Sequence, residues 1–280
     1  MGAITRREIQ VMGQRISFLE AGKGAVVVLF LHGMTSDATN WNETLLALAA
    51  LGYRAIAPDH LGFGQSSKPN VPIKPRTLSD MIGPMLKALE ISSVVLVGQS
   101  MGGHVAGLFA AEFPASVDGL MLVNAGYGLA LTEVNNVWDL GHADQPGGLW
   151  RLNPATRCES RLLLEAVFYD QRFVTDQVVD EFFAQRLAVR DGSAINSIAE
   201  SWARREDMLD SILGRLGNSP VLIVQSRHDR VAPLQLGLRL HDGIPGSHFV
   251  VLEECGHAPP VEIPGMFNDL VIDFLRQIGK

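Results

Sequence analysis

The chain has 280 residues, 47% of them hydrophobic, with 23 Lys and Arg against 30 Asp and Glu for a formal net charge of -7. That is enough apolar material for one large α/β core, alone or with an insertion, and the interspersed charges contain no basic block that would indicate a nucleic-acid or anionic-membrane partner. Cys158 and Cys255 have neither metal-ligand nor disulfide-framework spacing, and the N-terminus "MGAITRREIQV" lacks an apolar signal core, so free thiols and a cytoplasmic location are expected.

In chain order, "REIQVM", "RISFLEA" and "AVVVLFLHG" read as strands, followed by a helix near 41–51, the strand "YRAIAPD" and a helix near 77–89. The strand "SVVLVG", a helix near 101–113 and the strand "VDGLMLVNAG" come next. This alternation predicts a mainly parallel sheet with helices on both faces, opened by an antiparallel hairpin. From about 129 to 216 no run resembles a buried strand, and the mixed-charge amphipathic pattern predicts an inserted helical lid. The strand pattern resumes at "PVLIVQSRHD", with a helix near 234–240, the strand "HFVVLEECGH" and a last helix near 266–278. The expected organisation is a core of 1–128 and 217–280 interrupted by a lid of 129–216.

The stretch "VVLVGQSMGGHVAG" places Ser100 between an apolar strand and a helix. So sharp a turn forces its central residue into a rare backbone conformation, tolerable only where the residues two before and two after are small. Gly98 and Gly102 meet that need, which makes Ser100 a candidate nucleophile. Three further loops follow strands, at the edge where such sheets place chemistry. "HGMTSDATNW" turns at His32 and Gly33, so that the Met34 N–H, with that of Met101, is expected to form an oxyanion hole. "RHDRVAP" offers Asp229, and "GHAPPVEIP" offers His257, whose ordinary pKa suits a general base. The order Ser100, Asp229, His257 is the Ser, Asp, His order of one hydrolase fold and differs from both common serine-protease orders.

Among the other histidines, His32 is assigned to the oxyanion turn with a second role near substrate, His60 to a tight pocket loop, and His104 to inward packing. Asn124 stands at a strand end where an acid could alternatively serve, but an amide cannot stabilise an imidazolium as a carboxylate does. Aromatic residues of the lid, including Trp138, Trp150, Phe168, Phe173 and Trp202, are candidates to line an apolar pocket, with Trp138 and Phe168 foremost.

The motifs "LHGM", "DHLGFGQSS", "GQSMGG", "SRHDRVAP" and "GHAPPVEIP" together resemble those of the α/β-hydrolase superfamily over essentially the whole chain. The resemblance implies an eight-stranded sheet with the lid after the sixth strand and neither a metal nor an organic cofactor. A serine at position 100 is unlike the haloalkane dehalogenases and epoxide hydrolases, which carry aspartate there. The lid and the C-terminal third are similar to carbon-carbon bond hydrolases of ring meta-cleavage products, and Arg186 matches the lid arginine those enzymes offer to a substrate carboxylate. Two features depart from that subfamily: "MTSDATN" replaces a glycine-proline-glycine run, and Ala258 replaces a tryptophan. The main expectation is therefore hydrolysis of a small or medium ester, thioester or lactone through an acyl-serine. Carbon-carbon hydrolysis of a vinylogous keto acid is the alternative, and a ligand-binding protein on the same fold ranks third. A small-molecule substrate is the expected partner, and self-association into a homo-oligomer is left open.

Overall fold

In the computed structural model, which describes residues 3–129 and 152–280, the strands are β1 (Thr5–Val11), β2 (Gln14–Ala21), β3 (Val27–Leu31), β4 (Arg54–Pro58), β5 (Val94–Gln99), β6 (Val117–Val123), β7 (Val221–Ser226) and β8 (His248–Leu252). They form one eight-stranded sheet in the order β1-β2-β4-β3-β5-β6-β7-β8. β1 and β2 make an antiparallel hairpin, β2 joins β4 antiparallel, and every other pairing is parallel. The hairpin turns through Met12 and Gly13, both at positive φ, the geometry that matches the twist of paired strands.

Every residue of β3, β5 and β7 is buried. A parallel sheet covered on both faces needs such uninterrupted apolar strands. Successive side chains still go to opposite faces. Leu29, Leu31, Leu96 and Leu122 join one core with Met85, Val105, Phe109 and Leu236, while Val28, Phe30, Val95 and Val97 join another with Leu45, Leu48, Phe267 and Val271. The first cluster is covered by α3 (Ile82–Ala88), α4 (Met101–Glu112) and α9 (Leu234–Gly243), the second by α1 (Asn42–Ala50) and α11 (Pro264–Gln277). The helix expected near 77–89 is in fact two, α2 (Pro75–Asp80) and α3, meeting at Met81. Pro84 explains the break, because its ring removes the N–H that would bond the Asp80 carbonyl and clashes with that carbonyl.

Between β6 and β7 the described residues form α5 (Arg157–Val167), α6 (Asp176–Val189), α7 (Gly192–Ala203) and the short α8 (Leu213–Leu216), with no strand among them. Thr156 and Glu159 form a reciprocal cap that starts α5, and Thr175 caps α6. After β8 a short α10 (Pro259–Glu262), unforeseen in the sequence, precedes α11; both begin with proline at the first turn, where the missing N–H has no partner to lose. Among the described residues no helix is long and apolar enough to cross a membrane. Because β3, β5, β6, β7 and β8 run parallel, the loops after them gather at one edge of the sheet.

Candidate active site

Ser100 joins β5 to α4 with φ 55° and ψ -122°, a conformation strongly disfavoured for a side-chain-bearing residue. The surrounding chain leaves it no alternative. A Cβ on Gly98 would fall 2.4 Å from the Gly102 carbonyl oxygen, and one on Gly102 would fall 2.1 Å from that of Leu31. The Ser100 N–H donates to the Val123 carbonyl at 2.9 Å, and the Ser100 carbonyl accepts from the N–H groups of Gly103 and His104. The strain is thus held by hydrogen bonds on both sides of the turn.

His257 Nδ1 lies 2.7 Å from Asp229 Oδ2. Asp229 Oδ1 accepts from the backbone N–H groups of Val231 at 2.8 Å and Ala232 at 2.7 Å. With the carboxylate fixed this way, Nδ1 carries the imidazole proton and Nε2 is left with its lone pair. Ser100, Asp229 and His257 are all buried, and Ser100 and His257 face one cavity of about 940 Å³ counting its mouth. Gly33 and Met34 share its wall, and a Cβ on Gly33 would come within 3.3 Å of Ser100 Cβ, so the turn after β3 lies directly against the serine. The Met101 N–H is the first of the donors that a helix start leaves without an intrahelical partner. The structure therefore brings together the three candidate triad residues and the two candidate oxyanion residues.

Two side chains hold the histidine loop, Gln99, which the sequence reading passed over, and Asn124. Gln99 Nε2 donates to the His257 carbonyl at 2.6 Å, and Asn124 Nδ2 donates to it at 3.2 Å. Asn124, which has φ 48°, also donates to Ser226 Oγ and the Gly256 carbonyl while its Oδ1 accepts from the Ser226 N–H. Its role at the strand end is bracing. The signal for Gln99 was present in the sequence: a large amide at the end of an otherwise apolar buried strand must find a partner.

The cavity has an apolar wall from the insertion, with Leu152, Leu164, Phe168, Phe182 and Trp202, and a polar wall of Thr35, Ser36, Asp37, Thr39, Asn40 and Gln185. Gln185 Nε2 donates to Asp37 Oδ2 at 2.9 Å, tying α6 to the loop after β3. Phe168 lines the cavity, whereas Phe173 is exposed and stacks on Phe168 from outside. Trp138 and Trp150 lie outside the described residues.

Two of the candidate substrate contacts, His32 and Arg186, lie off the cavity wall. His32 is fully buried and does not line the cavity; its Nδ1–H donates to the Gly33 carbonyl at 2.7 Å and its Nε2 accepts from the His60 N–H at 3.0 Å. Burial holds its pKa below the ordinary histidine value, and burial together with the neighbouring His32 holds that of His60 well below it. The His60 ring lies against those of His32 and Phe63. Arg186 is also buried and absent from the cavity wall, because its guanidinium pairs with Asp191 and donates to Asn153 Oδ1 at 3.0 Å. It lines a narrow adjoining cleft that shares Thr35, Ser36, Asp37 and Gln185 with the cavity, and its Nε has no hydrogen-bond partner among the described residues. Burial raises the Asp191 carboxyl above its ordinary range despite that arginine.

His104, one turn into α4, joins the core to the insertion. Its Nε2–H donates to the Asp207 carbonyl at 2.7 Å and its Nδ1 accepts from the Trp202 indole at 3.0 Å.

Residues 26–263 match the family model described as alpha/beta hydrolase fold. The chain is 33% identical over 275 residues to a protein of Cupriavidus pinatubonensis named 2-hydroxy-6-oxononadienedioate/2-hydroxy-6-oxononatrienedioate hydrolase, an alignment that covers 93% of this chain and 90% of that one. Among solved structures it is similar to the meta-cleavage product hydrolase of Pseudomonas fluorescens IP01, with TM-score 0.83, 27% identity and 97% of both chains covered. It is also similar to a bacterial membrane phospholipase A, with TM-score 0.85, 25% identity, and 98% of this chain and 86% of that one covered.

Proposed function

Because the chain belongs to the α/β-hydrolase fold family and is a hydrolase, we propose that it cleaves the carbon-carbon bond beside the ketone of a vinylogous keto acid, with Ser100 as nucleophile. The near-full-length relative named for that reaction supports this reading. The observation that carries it is the cleft beside the cavity, where the buried Arg186 guanidinium retains an unpartnered Nε that a substrate carboxylate could engage.

In this mechanism His257 Nε2 takes the Ser100 proton while Asp229 holds the imidazole and balances its charge. The Ser100 oxygen adds to the ketone carbon, and the Met34 and Met101 N–H groups receive the oxyanion. The substrate dienol first ketonises, its hydroxyl proton moving to the carbon beside the ketone. After serine addition, collapse breaks the carbon-carbon bond, its electron pair is delocalised into the enone of the acid fragment, and that fragment takes the proton back from His257. Water deprotonated by His257 then releases the acyl group as a carboxylic acid and restores the serine. The insertion acts as a lid whose apolar wall receives the group beside the ketone.

Hydrolysis of a carboxylic ester by the same residues, with an alcohol as leaving group, is the second reading. It is favoured by the cavity wall itself, whose described residues include the Asp37 carboxylate and no Lys or Arg. A side-by-side assay of a 2-hydroxy-6-oxodienoate and p-nitrophenyl esters of several chain lengths separates the two. The expected result is a kcat/KM for the dienoate at least about tenfold above the best ester, falling about tenfold in Arg186→Gln/Asp191→Asn, while esters are little affected. Neutralising both partners avoids leaving Asp191 as an unpaired buried charge. Preference for esters, with equal effects of the double variant on both substrates, would establish the second reading.

A further inference from the structure

The loop that carries His257 meets the helical insertion backbone to backbone. The His257 N–H donates to the Val167 carbonyl at 2.7 Å. A Cβ on Gly256 would fall 2.3 Å from that same oxygen and 2.6 Å from the Tyr169 nitrogen, so only glycine permits the approach. Between Val167 and Tyr169 stands Phe168, a wall residue of the cavity. One carboxylate spans this junction. Glu262, the last residue of α10, accepts through Oε1 from the N–H groups of Gly256 and Ala258, each at 3.1 Å. Through Oε2 it accepts from the Gly256 N–H at 3.1 Å and the Tyr169 N–H at 2.7 Å.

We propose that Glu262 is a positioning residue that fastens the insertion segment carrying Phe168 to the loop carrying His257, so that the base and the pocket wall hold one register. The reason lies in the donor set. Gly256 and Ala258 flank the histidine, and a short loop bearing three N–H groups in a row has no strand or helix to satisfy them. His257 takes the Val167 carbonyl and the flanking pair take Glu262. The Tyr169 N–H, on the other partner, takes the second oxygen of that carboxylate. An ionised acceptor makes these bonds stronger than neutral ones and gathers donors from both segments at once. Serine-to-histidine proton transfer tolerates little displacement, and misplacement by about 1 Å from a remote change can cost about a hundredfold. The inference rests on Ser100 and His257 acting as nucleophile and base, and it is independent of which bond is cleaved.

Glu262→Gln tests it. The amide offers one acceptor oxygen in place of two and presents its own N–H donors to a cluster made only of donors. The expected result is a kcat about ten- to a hundredfold lower with KM within about threefold. The second-order rate of Ser100 labelling by a fluorophosphonate should fall by the same factor, because labelling needs the same base. Glu254→Gln, which neutralises an exposed carboxylate beside the same loop, should leave both rates unchanged. Should Glu262→Gln fail to fold, Glu262→Asp, which keeps the charge and withdraws it by one methylene, must show the same split between kcat and KM. Variant kcat and labelling rates within twofold of wild type, with only the melting temperature lowered, would overturn the proposal. Failure of the wild-type protein to be labelled would instead refute the nucleophile reading itself.

Discussion

Acidification from pH 7 to pH 4 is expected to remove about 3 kcal/mol of folding stability through His104 alone. The ring is fully buried, with its Nε2–H donated to Asp207 and its Nδ1 accepting from Trp202, an arrangement only the neutral imidazole can satisfy. Burial is the largest cause of a pKa lowered from 6.5 to about 4. Above about pH 6.5 both folded and unfolded chains hold this histidine neutral, and it adds no pH dependence. Between 6.5 and 4 the unfolded chain takes up a proton that the folded chain refuses, so stability falls as pH falls, by about 1.4 kcal/mol per pH unit. Below the folded pKa both states are protonated and the loss levels off. Urea unfolding of wild type and His104→Gln at pH 7, 5.5 and 4 isolates the effect, since the glutamine amide can donate once and accept once without titrating. His32 and His60 act in the same direction but are present in both proteins and cancel in the difference. A wild-type-minus-variant difference that stays flat within about 1 kcal/mol over this range would refute the reasoning.

Ser100→Ala is expected to lower kcat on any cleaved substrate by at least about a thousandfold while the melting temperature holds, and near-wild-type turnover would remove the serine from the mechanism. Asp229→Asn should depress kcat far beyond the effect of a lost turn former, because an amide favours the wrong imidazole tautomer; an unchanged kcat with a lowered melting temperature would count against the triad. Gly102→Ala must displace either the elbow or the end of β3, since its Cβ would lie 2.1 Å from the Leu31 carbonyl oxygen. It should destabilise by at least about 2 kcal/mol in denaturant unfolding, and a variant within 0.5 kcal/mol of wild type would show that the turn relaxes.

The sheet was legible because its strands carry their own address: "VVLFL" is apolar at every position and "VLIVQS" over its first four, and a doubly covered strand explains such runs. The candidate triad was legible for a related reason. Ser100, Asp229 and His257 each follow a parallel strand, so parallel pairing carries them to one edge of the sheet. The split of the helix near 77–89 could have been read from Pro84 and its conflict with the Asp80 carbonyl, whereas apolar spacing suggested continuity. The insertion yielded less, because apolar periodicity marks its helices without saying which aromatic faces inward. Phe168 and Phe173 have the same chemistry five positions apart, yet one lines the cavity and the other covers it from outside.

Polar side chains were harder still, since partners rather than residue type decide their roles. Arg186 and Asp191 are five apart, a spacing that does not put two residues on one helix face. They meet because α6 ends at Arg190 in the left-handed conformation, with φ 58° and ψ 38°, which turns the chain back and brings Asp191 to the guanidinium. Read as a helical periodicity, Arg186 is a lone cation open to a ligand; read with the turn, it is half of a buried pair. The same turn limits how the arginine could recognise an acid. A substrate carboxylate in the cleft would approach a guanidinium whose charge is already balanced by Asp191, and would gain mainly the unpartnered Nε–H. Recognition there would depend on hydrogen-bond geometry more than on net charge, so lysine at position 186, a point charge without the planar fork, should fail to replace arginine even where the charge is kept.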